Sequence, residues 1–301
     1  MTRLLSVCKI NICFCIFATR LQHTTYTMTK KRKKSSSTGK KSIYKPATYI
    51  LVALIAFLFY KYGNTETFAA EKIDKIEVPQ AVPSATKQMI ARDGYTLYYN
   101  KERLLPDWVA YELTATETEG KEERAKHFRE DPDIKGLQAD VDDYRNSGWD
   151  KGHMAPAADM KWSEQAMREC FYLSNICPQD HKLNTGTWKT LEEKCREYAR
   201  LFGNVYIVCG PIVKNNKYGN IGENGVMVPD GFYKVLLTTY YGKYTGVGFL
   251  FDNAKGSKRL ADHAVTIDEV ERVTGIDFFH ALPDNTESVV ESRIDKEAWD
   301  L

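Results

Sequence analysis

The hydrophobic pattern changes character near residue 70. Ahead of that point the longest apolar run is 50–60 (ILVALIAFLFY), closed by Lys61. As a helix these residues rise about 16 Å, short of the roughly 20 residues that a membrane span requires. Beyond residue 94 the pattern becomes periodic. Residues 95–100 (YTLYYN) and 108–114 (WVAYELT) alternate as strands do, with Trp108, Ala110 and Glu112 on one face and Val109, Tyr111 and Leu113 on the other. Residues 164–170 read as a helix leading into a short strand at 171–176. In 187–202, Trp188, Leu191, Cys195, Tyr198 and Phe202 recur at helical spacing, with Thr185 or Thr187 available as the cap. Further strands are expected at 204–210, 226–228, 231–240 and 245–253. A helix follows at 266–274, with Thr266 as its cap, Ile267, Val270 and Val273 on its buried side and Gly275 at its end. Strands and helices without a regular βαβ repeat predict one α+β domain of about 210 residues.

Charge sharpens the division. Residues 1–70 hold 12 Lys or Arg and 1 acid, so a formal total of +2 leaves the remainder at −9. Bulk charge therefore gives no support for a nucleic-acid partner. The basic run 30–45 ahead of the apolar stretch suits a signal peptide or a signal anchor, with positive-inside orientation sending the body outward; a nuclear or mitochondrial address on the basic run is the alternative. Met28 directly precedes the basic run. The expected organisation is an upstream extension at 1–27, the basic segment and signal or anchor at 28–69, a tether at 70–92 carrying Pro79 and Pro83, and the folded domain at 93–301. Left uncleaved, residues 46–62 would hold the domain to a membrane outside the cytoplasm; cleavage near Ala69 or Ala70 would release it as a secreted or periplasmic protein. Four body cysteines, Cys170, Cys177, Cys195 and Cys209, contain no CxxC pair and read as buried free thiols.

Candidate chemistry gathers in two aperiodic stretches. The first, 148–160 (GWDKGHMAPAADM), places His153 in a polar loop, where an imidazole serves equally as a structural hydrogen-bonding group or a general base. The second, 174–196, contains Asn175 and Asn184 on either side of Pro178. Asparagines there are turn residues or, through the amide oxygen, ligands for a hard cation. Glu192 and Arg196, four apart on a helix, read as a surface pair across one turn. A serine nucleophile is poorly served, because G-x-S-x-G is absent.

These two stretches together resemble the DNA/RNA non-specific endonuclease family, the ββα-metal or His-Me finger nucleases. The family's D-R-G-H corresponds to Asp150, Lys151, Gly152 and His153, and SNICPQDHKLNTGTWKTLEEKCR resembles its S/T-N-I-x-P-Q followed by N-x-G-x-W-x-x-L-E-x-x-x-R. Weaker similarity extends the match over about 106–285. The resemblance implies a central, mainly antiparallel sheet flanked by helices, and metal-dependent hydrolysis of phosphodiester bonds in DNA and RNA. It implies His153 as general base, Asn184 as the direct ligand of Mg²⁺ (with Mn²⁺ or Ca²⁺ as substitutes) and Glu192 as a ligand through water. Arg196 would stabilise phosphoryl charge and contact substrate, Asn175 would orient the base or its water, and Asp150 and Gly152 would shape the loop. Lys151 departs from the family's arginine, keeping the charge at a substrate-binding position and losing the bidentate fork. The oligomeric state stays open, a homodimer included. A non-catalytic nucleic-acid-binding module and a restricted phosphodiesterase are the rival readings.

Overall fold

The computed structural model describes residues 73–301. The expectations for residues 1–72, including the upstream extension, the basic segment and the apolar run within 46–62, lie outside the described residues. Eleven strands occur there: β1 (Lys87–Ala91), β2 (Thr96–Asn100), β3 (Leu105–Thr114), β4 (Asp150–His153), β5 (Ile176–Gln179), β6 (Asn204–Ile212), β7 (Asn220–Ile221), β8 (Val226–Met227), β9 (Gly231–Tyr240), β10 (Lys243–Asp252) and β11 (Ala264–Val265). The helices are α1 (Glu164–Glu169), α2 (Lys189–Phe202), α3 (Ile267–Thr274) and α4 (Asp284–Glu291).

Seven strands pair antiparallel in the order β1-β2-β3-β6-β9-β10-β11. Because side chains alternate along a strand, the sheet has two faces, and both are covered. Val109, Tyr111, Leu113, Val205, Ile207, Phe232 and Leu236 pack with Leu191, Cys195 and Ala199 of α2. The alternate positions Trp108, Ala110, Tyr206, Val208, Val235 and Leu237 pack with Ile267 and Val270 of α3 and Val290 of α4. Each such aliphatic side chain taken fully from water contributes about 1.5–3 kcal/mol. Burial on both sides explains why β6 and β9 read as nearly unbroken apolar runs.

Residues 73–92 are not a tether. Ile76 is buried against Tyr98 and Trp108, and β1 pairs with β2 from Lys87↔Asn100 to Ala91↔Thr96. Only Ile90 of this edge strand is buried, so its sequence carries little alternation. The strand expected at 171–176 begins only at Ile176, because Asn175 N–H bonds back to Tyr172 O and closes a single tight turn. The cap expected at Thr185 or Thr187 is supplied earlier, by Asp180, whose carboxylate accepts from the backbone of Lys182 and Leu183. Thr266 caps α3 as expected, accepting from Glu269 N. The four body cysteines are free and buried. No helix among the described residues is long and apolar enough to cross a membrane.

Candidate active site

β4 and β5 pair antiparallel, with Asp150 opposite Gln179 and His153 opposite Ile176, and the chain then enters α2. This ββα unit lies on the first face of the sheet. Tyr144 donates to Ile176 O, Cys209 of β6 donates to Met154 O, and Asn253 beyond β10 donates to Pro178 O and Pro229 O. Gly152 is required here for space: a Cβ would lie 2.3 Å from Gln179 Oε1 and 2.7 Å from Gln179 Cβ.

Lys151 and His153, two apart on β4, line the same cleft of about 270 Å³ with Arg124, Asn184, Glu192 and Arg196. His153 is 8% exposed. Its ring lies 5.3 Å from that of Phe128 and 4.9 Å from that of Phe171. Burial, reinforced by the charge of Arg124, pushes its pKa down to about 3, so the imidazole is neutral at physiological pH. Nε2 is closed off from solvent without a protein partner, which leaves Nδ1 as the nitrogen facing the cleft.

Asn184 sits where the helical turn His181–Leu183 runs into α2. The turns there are widened through Asn184–Trp188, with non-helical backbone at Gly186; such widenings recur at functional sites. Asn184 Nδ2 donates to Asp150 Oδ2 at 2.9 Å, and His181 Nδ1 lies 2.9 Å from the same oxygen. A carboxylate only accepts, so Asp150 fixes which end of the amide turns to it and leaves Asn184 Oδ1 free for a cation. The donor set of amide oxygen, Glu192 carboxylate and solvent is hard and suits Mg²⁺.

Arg196 does not pair with Glu192. It donates to Asp159 at 2.7 Å, and Asp159, fully buried, also accepts from Tyr111 Oη at 2.9 Å. Burial raises the Asp159 carboxyl, and the arginine opposes that rise. Glu192 is thereby left to the cleft, where burial lifts its pKa to about 7 against the pull of Lys234. Lys234 is itself fully buried on β9, its ammonium 4.4 Å from the centre of the Trp188 ring. Burial pushes its pKa down, and the neighbouring thiols and carboxylates, Cys209 first, more than offset this.

Asn175 does not reach a water or the imidazole. Its Oδ1 accepts from Ala155 N and its Nδ2 donates to Ala155 O and Cys170 O, so it splints the loop after His153. Lys151 lies 5.2 Å from the centre of the Tyr144 ring and 5.7 Å from that of Phe128. Arg124, Asp159, Lys189 and Lys234 escape a reading from spacing. Asp159 stands inside the first motif, but its partner is 37 residues away, and Arg124 lies in a charged stretch without periodicity.

The model of the family described as DNA/RNA non-specific endonuclease matches residues 74–285. The mitochondrial nuclease EXOG of Danio rerio is 35% identical over 75% of this chain and 71% of its own length. The mitochondrial endonuclease G of Homo sapiens is 35% identical over 64% of this chain and 69% of its own. The chain spans between 56% and 71% of the vertebrate EXOG sequences it matches. Among solved structures, the crystal structure of the EndoG/EndoGI complex matches with a TM-score of 0.61 and 28% identity, over 69% of this chain and 96% of that one. A ββα unit on a mainly antiparallel sheet, matched over most of the described residues, makes this chain a hydrolytic nuclease of the DNA/RNA non-specific endonuclease family.

Proposed function

We propose that the chain is a Mg²⁺-dependent endonuclease that cuts DNA and RNA without sequence preference, with His153 as general base and Asn184 as the direct metal ligand. The supporting observation is the cleft itself. It has His153, Asn184, Glu192 and Arg196 in one lining, with Arg124, Lys151, Lys189 and Arg196 set against the single carboxylate of Glu192. A domain of net negative charge thus presents a cationic groove, which suits binding through phosphates, and phosphate contacts carry no direct sequence information.

A bound Mg²⁺ would polarise the scissile phosphate and offset charge on the departing oxygen. Asn184, oriented by Asp150, would hold it directly, and Glu192 through water. His153 takes the proton of the attacking water at Nδ1. A pKa of about 3 leaves the ring with a single proton, which this role assigns to Nε2, and makes Nδ1 a weak base; the negative charge of a bound phosphodiester raises it again. Arg196, held by Asp159, donates to the phosphoryl oxygens as their charge grows. Asn175 keeps the loop after His153 in place.

Location belongs to the same proposal. The basic run ahead of residues 50–60 supports export, followed by anchoring or release. Matched relatives carry mitochondrial names, which favours a second destination for a basic N-terminal segment. Fractionation of tagged full-length protein separates the two.

Digestion of supercoiled plasmid and of RNA, with and without EDTA, tests the activity in wild type, His153→Ala and Asn184→Ala. Metal-dependent cutting of both polymers, lost in both variants, is expected. Cutting that survives EDTA overturns the metal requirement, and cutting that survives both substitutions overturns the site. Preference for small phosphodiesters over polymers overturns the substrate assignment.

A further inference from the structure

The opposite face of the sheet carries a second group of oxygen donors, independent of the nuclease reading. Asp268 and Glu271 of α3 and Glu291 at the end of α4 each bring one carboxylate oxygen within 4.8 Å of the others. Glu271 Oε1 accepts from Phe278 N at 2.8 Å, which fixes its carboxylate. Glu291 is 6% exposed, and its buried Oε1 has no hydrogen-bond partner. A buried carboxylate oxygen without a partner, on a residue that belongs to a group of acids, is costly unless something neutralises it.

Among the described residues none of these three acids is in an ion pair, the nearby Arg272 being paired to Glu269. Burial, and after it the charges of Glu271, Glu287, Asp268 and Asp277, lift Glu291 to about 8. Burial first, then Asp277, Asp268 and Glu287, lift Glu271 to about 7. Arg272, the basic residue nearest in sequence on α3, is bound by both of its contacts to Glu269. His280 acts on Glu287, one turn before Glu291 on the same helix.

We propose that Asp268, Glu271 and Glu291 form a Ca²⁺ site joining α3 to α4. Ca²⁺ takes oxygen ligands at about 2.3–2.6 Å in flexible geometry, which suits carboxylates brought together from two helices, whereas Mg²⁺ demands near-ideal octahedral geometry at about 2.0–2.1 Å and keeps several of its waters. The donor set contains no nitrogen or sulfur, which disfavours Zn²⁺. Water completes the sphere on the side where Asp268 is exposed. The two helices contact each other and β10, so an ion held by both favours the folded state over the unfolded one.

The test is calorimetric titration of Ca²⁺ into the full-length Asn184→Ala protein, which removes the ligand proposed at the cleft, with thermal unfolding in parallel. One Ca²⁺ per chain is expected, with a saturable rise in Tm. Asp268→Asn, an exposed change that the fold tolerates, and Glu291→Gln, each added to Asn184→Ala, are expected to weaken binding at least about tenfold, since affinity in such sites follows the number of charged ligands. Absence of binding up to about 10 mM, well above the weakest range for such sites, overturns the proposal. So does unchanged affinity in both acid variants, or Mg²⁺ binding more tightly than Ca²⁺.

Discussion

The two faces of the sheet treat buried charge in opposite ways. On the β4–β5–α2 face the charged side chains around the cleft have partners within the protein. Asp159 has Arg196 and Tyr111, Asp150 has Asn184 and His181, and Lys234 has the Trp188 ring. On the α3–α4 face Glu271 and Glu291 lie among further acids, with one backbone N–H, that of Phe278, donated to Glu271. The first arrangement spends its counter-charges on holding Asn184 and Arg196 toward an open cleft. The second takes its counter-charge from outside, as a proton or as the proposed cation. A charge balanced from within fixes geometry, while one left unbalanced makes a binding site.

That contrast breaks most visibly at His153. His153→Ala is expected to lower plasmid cleavage by about 10²–10⁴, the usual weight of a positioned general base, while the Tm of the variant stays near that of wild type. Next comes the Arg196–Asp159 pair. Arg196→Met strands a buried carboxylate, and losing one partner of such a pair typically costs about 3–5 kcal/mol, read as a fall in the urea midpoint together with activity. If Arg196→Met leaves stability unchanged, the balance described for this face is wrong.

A smaller effect sharpens the comparison through pH. The pKa of His153 is about 3 in the folded protein against the ordinary 6.5. Above pH 6.5 the group is neutral in both states and contributes nothing. As pH falls from 6.5 toward 3, the unfolded chain takes up a proton that the folded one refuses, so stability declines through that window. The urea midpoint of His153→Ala should therefore fall less between pH 7 and pH 4 than that of wild type; an equal fall would mean that the imidazole is not buried neutral. The smallest change expected is Lys151→Arg. It keeps the cation against Tyr144 and Phe128 and restores a fork able to grip phosphate with two bonds, so kcat/KM should rise by less than about tenfold, roughly the worth of one charge-assisted hydrogen bond.

Much of this architecture was legible because it repeats at short range. The two faces of β3, the apolar spacing of α2 and the Thr266 cap are all set by neighbours within four residues. The motif residues are legible for the same reason, being contiguous in two stretches. What the sequence hides is pairing at long range. Nothing near Arg196 points to Asp159, and nothing near Glu291 points to Asp268 and Glu271. Lys87–Ala91 was hidden differently: as an edge strand with one buried side chain it lacks the alternation that marks a strand, so it resembles a linker. Asn175 illustrates the limit of a motif, which names a residue without saying which of its neighbours takes its hydrogen bonds.

The central claim is a division of labour in which Asn184 holds the metal and His153 handles the proton. Single-turnover cleavage of a plasmid, titrated with Mg²⁺ in wild type, Asn184→Ala and His153→Ala, separates the two roles. The account predicts that Asn184→Ala raises the Mg²⁺ concentration needed for half-maximal cleavage, while His153→Ala keeps the wild-type requirement and lowers the rate at saturation. An unshifted requirement in Asn184→Ala, or a shifted one in His153→Ala, would contradict it.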